Sequence, residues 1–332
     1  MMRSIGAALA LAAVLSPAGE HIESTYPEGS VLAWSQTGSS SMVIDEVHVS
    51  VEDTELPPEV VKDMGMEVPS SKDTTICRGR DEVLEAAEGR PVRVRRLFEE
   101  LRKHSVENGE EKEKTGPVEG LALLLSEDDG TPEAKLEDSE SEVDARYLSE
   151  HRLARDTDFL LPQDEVEVGA EWELEESQLR LFMGLASAPL LFEPDEGEEN
   201  DPFEQMMDKA ATLSGKAHLV EIEERDGLRC AVIGFTIEIE AALDDLESLQ
   251  LELEEGMQPP AGSIATHLVC EGKLWHALAE RRPVALEQTL QGTLTMQMEM
   301  RLQVEEGVEL SMKVDMQGSF EGEDTTTWTA GE

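Results

Sequence analysis

The chain has 332 residues, with 27 Lys+Arg against 74 Asp+Glu, a formal net charge of −47. That charge excludes nucleic acid, whose phosphates need basic surface, and opposes adsorption to anionic lipid. Hydrophobic residues make up 39%, enough for a packed core, and no run of 18 apolar residues offers a transmembrane helix.

The first 18 residues read as an export signal. Arg3 supplies the positive n-region and Ile5 to Leu15 the apolar run. Ser16-Pro17-Ala18 places small residues before Gly19. The first cysteine is Cys77, so no lipid attachment at a mature N-terminal Cys is expected. The expected location is periplasmic or extracellular.

Beyond the signal the hydrophobic period is mostly two, the strand period. Val43, Val47, Val49 and Val51 are expected on one face of a strand, and Leu121, Leu123 and Leu125 on one face of the next clear one. The segment 78–103 is a basic island. Within it Arg93 and Arg95 should share one face of a strand, opposite Val92 and Val94. Ser141 is placed to cap a helix carrying Val143, Tyr147 and His151 on one face. A second helix is expected over Glu175 to Met183 with Gly184 as its stop, and a third from Asp201 with Pro202 at its first position.

The stretch 193–201 is acidic and contains Gly and Pro. It separates a mixed β/α part, 19–192, from an antiparallel part, 202–332. A domain boundary and a solvated loop within one sheet both fit this pattern. In the second part Asp226-Gly227 marks a hairpin. Leu294, Met296, Met298, Met300, Leu302 and Val304 then alternate, and after Glu305-Glu306-Gly307 so do Val308, Leu310, Met312, Val314 and Met316. The expected fold class is α+β and mostly antiparallel β, a curved sheet or half-barrel with a few short covering helices.

Candidate sites follow from these patterns. Met296, Met298 and Met300 with Met312 and Met316 could pack the covered face of the sheet, line an adaptable apolar groove, or offer thioethers to Cu(I). Arg93 and Arg95 could hold an anion or pair with the chain's own carboxylates. Cys230 and Cys270 both lie in strand-like segments and are the expected disulfide pair, leaving Cys77 free. No nucleophile elbow, zinc-protease motif or phosphate loop is present. The seven histidines lie at no metal-ligand spacing, and the acidic stretches lack the spacing of a calcium loop. No catalytic residue, metal or cofactor is therefore expected.

Two stretches carry a family resemblance. Leu161-Pro162 with Val166, Val168, Gly169 and Trp172 is similar to an "LP…V.vG..W" box. Asp81-Glu82-Val83-Leu84 with Gly89-Arg90-Pro91, Arg96 and Phe98 resembles its companion segment, and Glu271-Gly272-Lys273-Leu274-Trp275 a later strand. The family so resembled comprises uncharacterised exported bacterial proteins, many of Planctomycetes type. It implies an exported, β-rich protein and transfers no site residue. The expected function is an exported, non-catalytic envelope or periplasmic protein that binds a hydrophobic ligand, such as a lipid, or a protein partner. A secreted hydrolase acting on envelope material and a purely structural envelope component are the alternatives.

Overall fold

A computed structural model describes residues 19–63, 70–107, 109–128, 131–138, 140–154, 157–185, 189–194, 202–246, 260–305 and 308–331. The expected signal segment and most of the acidic stretch lie outside them. The described chain forms one antiparallel sheet of thirteen strands. These are β1 (Val31–Val51), β2 (Thr54–Glu55), β3 (Ser70–Ala87), β4 (Arg90–Glu107), β5 (Glu110–Thr115), β6 (Ala122–Asp128), β7 (Thr131–Leu136), β8 (Glu171–Glu173), β9 (Thr212–Arg225), β10 (Leu228–Leu243), β11 (Ala261–Ala277), β12 (Arg282–Glu305) and β13 (Val308–Ala330). Three short helices accompany them: α1 (Pro58–Asp63), α2 (Glu176–Phe182) and α3 (Pro202–Ala210). No helix among the described residues is long and apolar enough to cross a membrane.

The strand order is β7-β6-β4-β3-β1-β13-β12-β11-β10-β9-β8, with β2 on β1 and β5 on β4. The chain therefore starts in the middle and meanders outward to β7. It then crosses to the far edge and meanders back until β13 joins β1. The β1–β13 ladder runs from Leu32↔Ala330 to Val51↔Met312. It makes one sheet of the stretches before and after the acidic segment.

Hairpin chemistry explains several connections. Glu88-Gly89 and Asp226-Gly227 all have positive φ, the conformation that two-residue turns need to match strand twist. Gly169 has φ +90 and its N–H reaches Leu219 O at 2.7 Å, so the box is a turn that hangs β8 on β9. Trp172 then packs on the main core and donates Nε1 to Leu160 O at 3.2 Å.

Strand alternation puts most apolar residues on one inner face, where two cores lie side by side, while Cys230, Val232, Trp275, Ala277 and Ala285 form a smaller cluster on the opposite face of β10–β12. The larger joins Ile233, Phe235, Ile237, Leu274 and Leu286 of β10–β12 to Leu179 of α2 and Met206 of α3. The smaller joins Val94, Phe98, Leu101, Leu123 and Leu125 of β4 and β6 to Tyr147 and Leu153. Helices α2 and α3 begin and end close to the expected places. The expected helix after Ser141 is only a turn of 3₁₀ helix, Ala145–Tyr147, capped by Asp144, which accepts from Arg146 N at 3.0 Å. Tyr147 is the one buried residue of that turn, and Val143 and Leu148 pack on the same core from either side of it.

Two more expectations are corrected. The run Val43 to Val51 does not keep one face, because a bulge between Ile44 and Glu46 shifts the register. Ile44 is buried and Val43 is exposed, as one extra residue in a strand requires. Cys230 and Cys270 do not form the expected disulfide. Cys77, Cys230 and Cys270 are all free and buried. Cys230 pairs with Ala277 while Cys270 pairs with Ile237, seven positions further along β10. That is about 23 Å of strand, against the roughly 7 Å that a disulfide can span between Cα atoms. They also belong to different clusters.

Candidate functional site

The seam between the two cores holds a cavity of about 290 Å³. Its floor comes from neighbouring strands: Trp34 and Gln36 of β1, Cys77 and Asp81 of β3, Arg96 and Phe98 of β4, Gln288 of β12, and Asp324, Thr326 and Trp328 of β13. The ladders bring these together from five strands, with Trp34↔Trp328, Gln36↔Thr326 and Asp81↔Arg96 as partners. Its roof is the covering segment, with His151, Thr157, Phe182 and Leu191.

Two polar centres occupy this apolar seam. At one end Arg96 grips Asp81 with two parallel bonds, Nε to Oδ1 at 2.9 Å and Nη2 to Oδ2 at 2.8 Å. Trp34 Nε1 also donates to Asp81, at 3.3 Å. Both charged side chains are largely buried, so the bidentate geometry offsets a desolvation cost of several kcal/mol per ion. Gly79 makes room for this arrangement: a Cβ there would lie 2.7 Å from the Trp34 ring.

At the other end stands the carboxylate of Asp324. Gln36 Nε2 donates to it at 2.8 Å and Thr326 Oγ1 at 3.3 Å. No cation bridges to it among the described residues. Burial therefore holds Asp324 above the ordinary carboxylate range, opposed by those two hydrogen bonds. Gly38 leaves space for it, since a Cβ there would sit 2.9 Å from Oδ2.

His151 faces this floor from the roof and is 1% exposed. Its Nε2 donates to Tyr147 O at 3.1 Å, which leaves Nδ1 as an acceptor, and Nδ1 is buried without a partner. Burial, with the charge of Arg96 adding, pulls this imidazole down to about 4, so it is neutral at physiological pH. Its ring also packs on Phe98, centroids 5.6 Å apart, and Phe98 packs edge-on against Trp34 at 5.8 Å. Burial raises the Cys77 thiol to about 12, with Asp324 adding to the effect, so this cysteine is no nucleophile.

The sequence-expected sites fall elsewhere. Met296 pairs with Met316 and Met300 with Met312, with Met298 opposite Val314. They form the end of the inner face, beyond the cavity, with Val49 and Val61 of α1. Met312 is buried and the other four are half-buried. Arg95 pairs with Glu137 at 2.8 Å and lies 3.9 Å from Glu82, while Arg93 is exposed. The two arginines do not converge on a shared anion place. The residues that do converge include Asp81, Arg96 and Phe98, all in one resembled segment. Asp324 carried no sequence signal among so many carboxylates.

One other cluster has the residue types of a nucleophile. Ser24 donates to Asp158 at 2.5 Å, its Oγ lies 3.3 Å from His276 Nε2, and Tyr26 donates to the same carboxylate. Here the carboxylate sits on the hydroxyls rather than orienting the imidazole. That is the reverse of the order that activates a serine. The cluster ties the 22–26 segment to β11 and the covering segment.

No family model matches the chain, and no curated protein matches it. Among solved structures, one from work on the asymmetric conductivity of engineered proteins is 10% identical, covering 87% of this chain and 99% of that one, with a TM-score of 0.20. A mutant of the Rh. blastica porin is 9% identical with the same coverage and a TM-score of 0.20. At that score the likeness has no bearing on fold or function.

Proposed function

We propose that the chain is an exported, non-catalytic binding protein of the envelope or periplasm, and that it holds a small molecule with an apolar body in the cavity between its two cores. The observation that carries this reading is the cavity's content. A bidentate ion pair and, among the described residues, a carboxylate without a cation line one space that is walled by Trp34, Phe98, Phe182 and Trp328. Buried polar groups left without partners cost stability, and cavities with a few convergent polar groups are the usual form of small-molecule sites. The export signal and the likeness to exported β-rich proteins support the location.

The finer architecture belongs to the same reading. A half-barrel, curled so that its two edges approach across the covering segment, is supported by a wider cleft of about 930 Å³ lined by Pro132 of β7 and Trp172 of β8. In this arrangement the segments that carry Tyr147, His151, Thr157 and Phe182 cover the half-barrel and the methionine face is its packed end.

Native mass spectrometry of protein purified from its own source tests this. A bound small molecule at one per chain, lost on denaturation and absent from the cavity-filling variant Thr326→Trp, is expected. An equal occupant in wild type and variant, or none in either, overturns the reading.

A further inference from the structure

Resting on the cavity as a binding place, we infer that its ligand is a small organic cation: a protonated amine joined to an apolar or aromatic body. Three observations lead there. The group left for a ligand is an acceptor, the carboxylate of Asp324, which lines the cavity and takes hydrogen bonds from Gln36 and Thr326. The two guanidiniums that an anionic ligand would need are already engaged: both oxygens of Asp81 hold Arg96, and Arg152 donates to Leu181 O at 3.3 Å. The charged residues lining the cavity are three carboxylates, Asp81, Glu150 and Asp324, against the guanidiniums of Arg96 and Arg152.

A ligand N–H₃⁺ supplies three donors and a positive charge. It would neutralise the largely buried carboxylate of Asp324, and a charge-assisted bond of this kind is about twice as strong as a neutral one. The body would lie against Phe98 and the indoles of Trp34 and Trp328, whose faces also favour a nearby cation. The molecule's net charge of −47 works in the same direction at long range, since it concentrates cations at the surface and accelerates their approach.

Calorimetric titration of the mature chain with three probes of similar shape separates the possibilities: 2-phenylethylamine, 2-phenylethanol and 3-phenylpropionate, at neutral pH and 0.15 M salt. The amine should bind at least about tenfold more tightly than the alcohol, and the propionate more weakly than either. The isosteric variant Asp324→Asn should bring the amine down to the alcohol's affinity and leave the alcohol unchanged. Equal affinities for amine and alcohol, or a preference for the carboxylate, overturn the inference while leaving the cavity a binding site. Binding of none of the three overturns the inference as well, and the co-purification experiment then decides the cavity alone. The three-probe comparison in wild type stands without the variant, should Asp324→Asn fail to fold.

Discussion

His151 shows how one side chain reports on the seam. An unfolded imidazole titrates near 6.5, and this one, in the folded chain, at about 4. Between those values the unfolded state binds more protons than the folded one. Stability from this group is therefore full above pH 6.5 and is lost as the pH falls toward 4. The whole span is on the order of 3 kcal/mol, at about 1.36 kcal/mol per unit. Arg96 and Asp81 are the charged groups that act on it. Asp324, across the cavity, has the opposite slope, since its raised value favours the folded state as the pH falls. Urea unfolding of wild type and His151→Gln at pH 6.5 and 4.5 isolates the histidine. Wild type should lose roughly 2 kcal/mol more than the variant across that interval. Equal losses would mean that His151 is charged in the folded protein.

At the scale of elements, the close approach of β1 and β3 depends on a missing side chain. Gly79 pairs with Trp34, and an added Cβ would meet Leu97 O at 2.3 Å as well as the indole. Backbone cannot yield as a side-chain end can. Gly79→Ala should therefore cost about 1–3 kcal/mol and shift tryptophan emission as Trp34 is displaced from Asp81 and Phe98. Gly89, at φ +80 with open space around it, is the control: Gly89→Ala should cost about 1–2 kcal/mol through backbone conformation alone and leave the emission unchanged. An unaltered spectrum in Gly79→Ala would show that the strands separate without moving the indole. Elements of this kind were partly legible. The Asp226-Gly227 hairpin, α2 and α3 stand where local patterns put them, because turn conformation, a helix stop and a first-turn proline act within a few residues. The bulge at Ile44 was not legible, since only pairing with β13 shows that an extra residue must be absorbed.

For the whole molecule the dominant feature is charge. At −47 the folded chain holds its carboxylates closer together than the unfolded chain does, so self-repulsion opposes folding. Many carboxylates are locally paired, as in Arg78–Glu100 and Lys103–Asp73, but 27 basic residues cannot offset 74 acidic ones. Salt shortens the Debye length from about 30 Å at 0.01 M to about 8 Å at 0.15 M. The melting temperature should rise between those conditions in a thermal scan at neutral pH. A flat or falling value would show that internal basic partners already neutralise the surface.

What the sequence determined by itself was local or additive. Composition sets the charge, period-two alternation sets an antiparallel β protein with one mainly apolar face, and glycine-containing turns set hairpins. The methionines were correctly placed on facing strands for the same reason, because strand alternation and a single hairpin decide that register. Tertiary structure alone decided the rest. That β1 joins β13, that the cysteines stand seven positions apart, and that Asp81, Arg96, His151 and Asp324 share one cavity all depend on which strands pair at long range. A strand's own residues say which face is apolar but not which strand lies beside it. The cavity is built at the junction where the first strand of the sheet meets the last, and no window along the chain contains it.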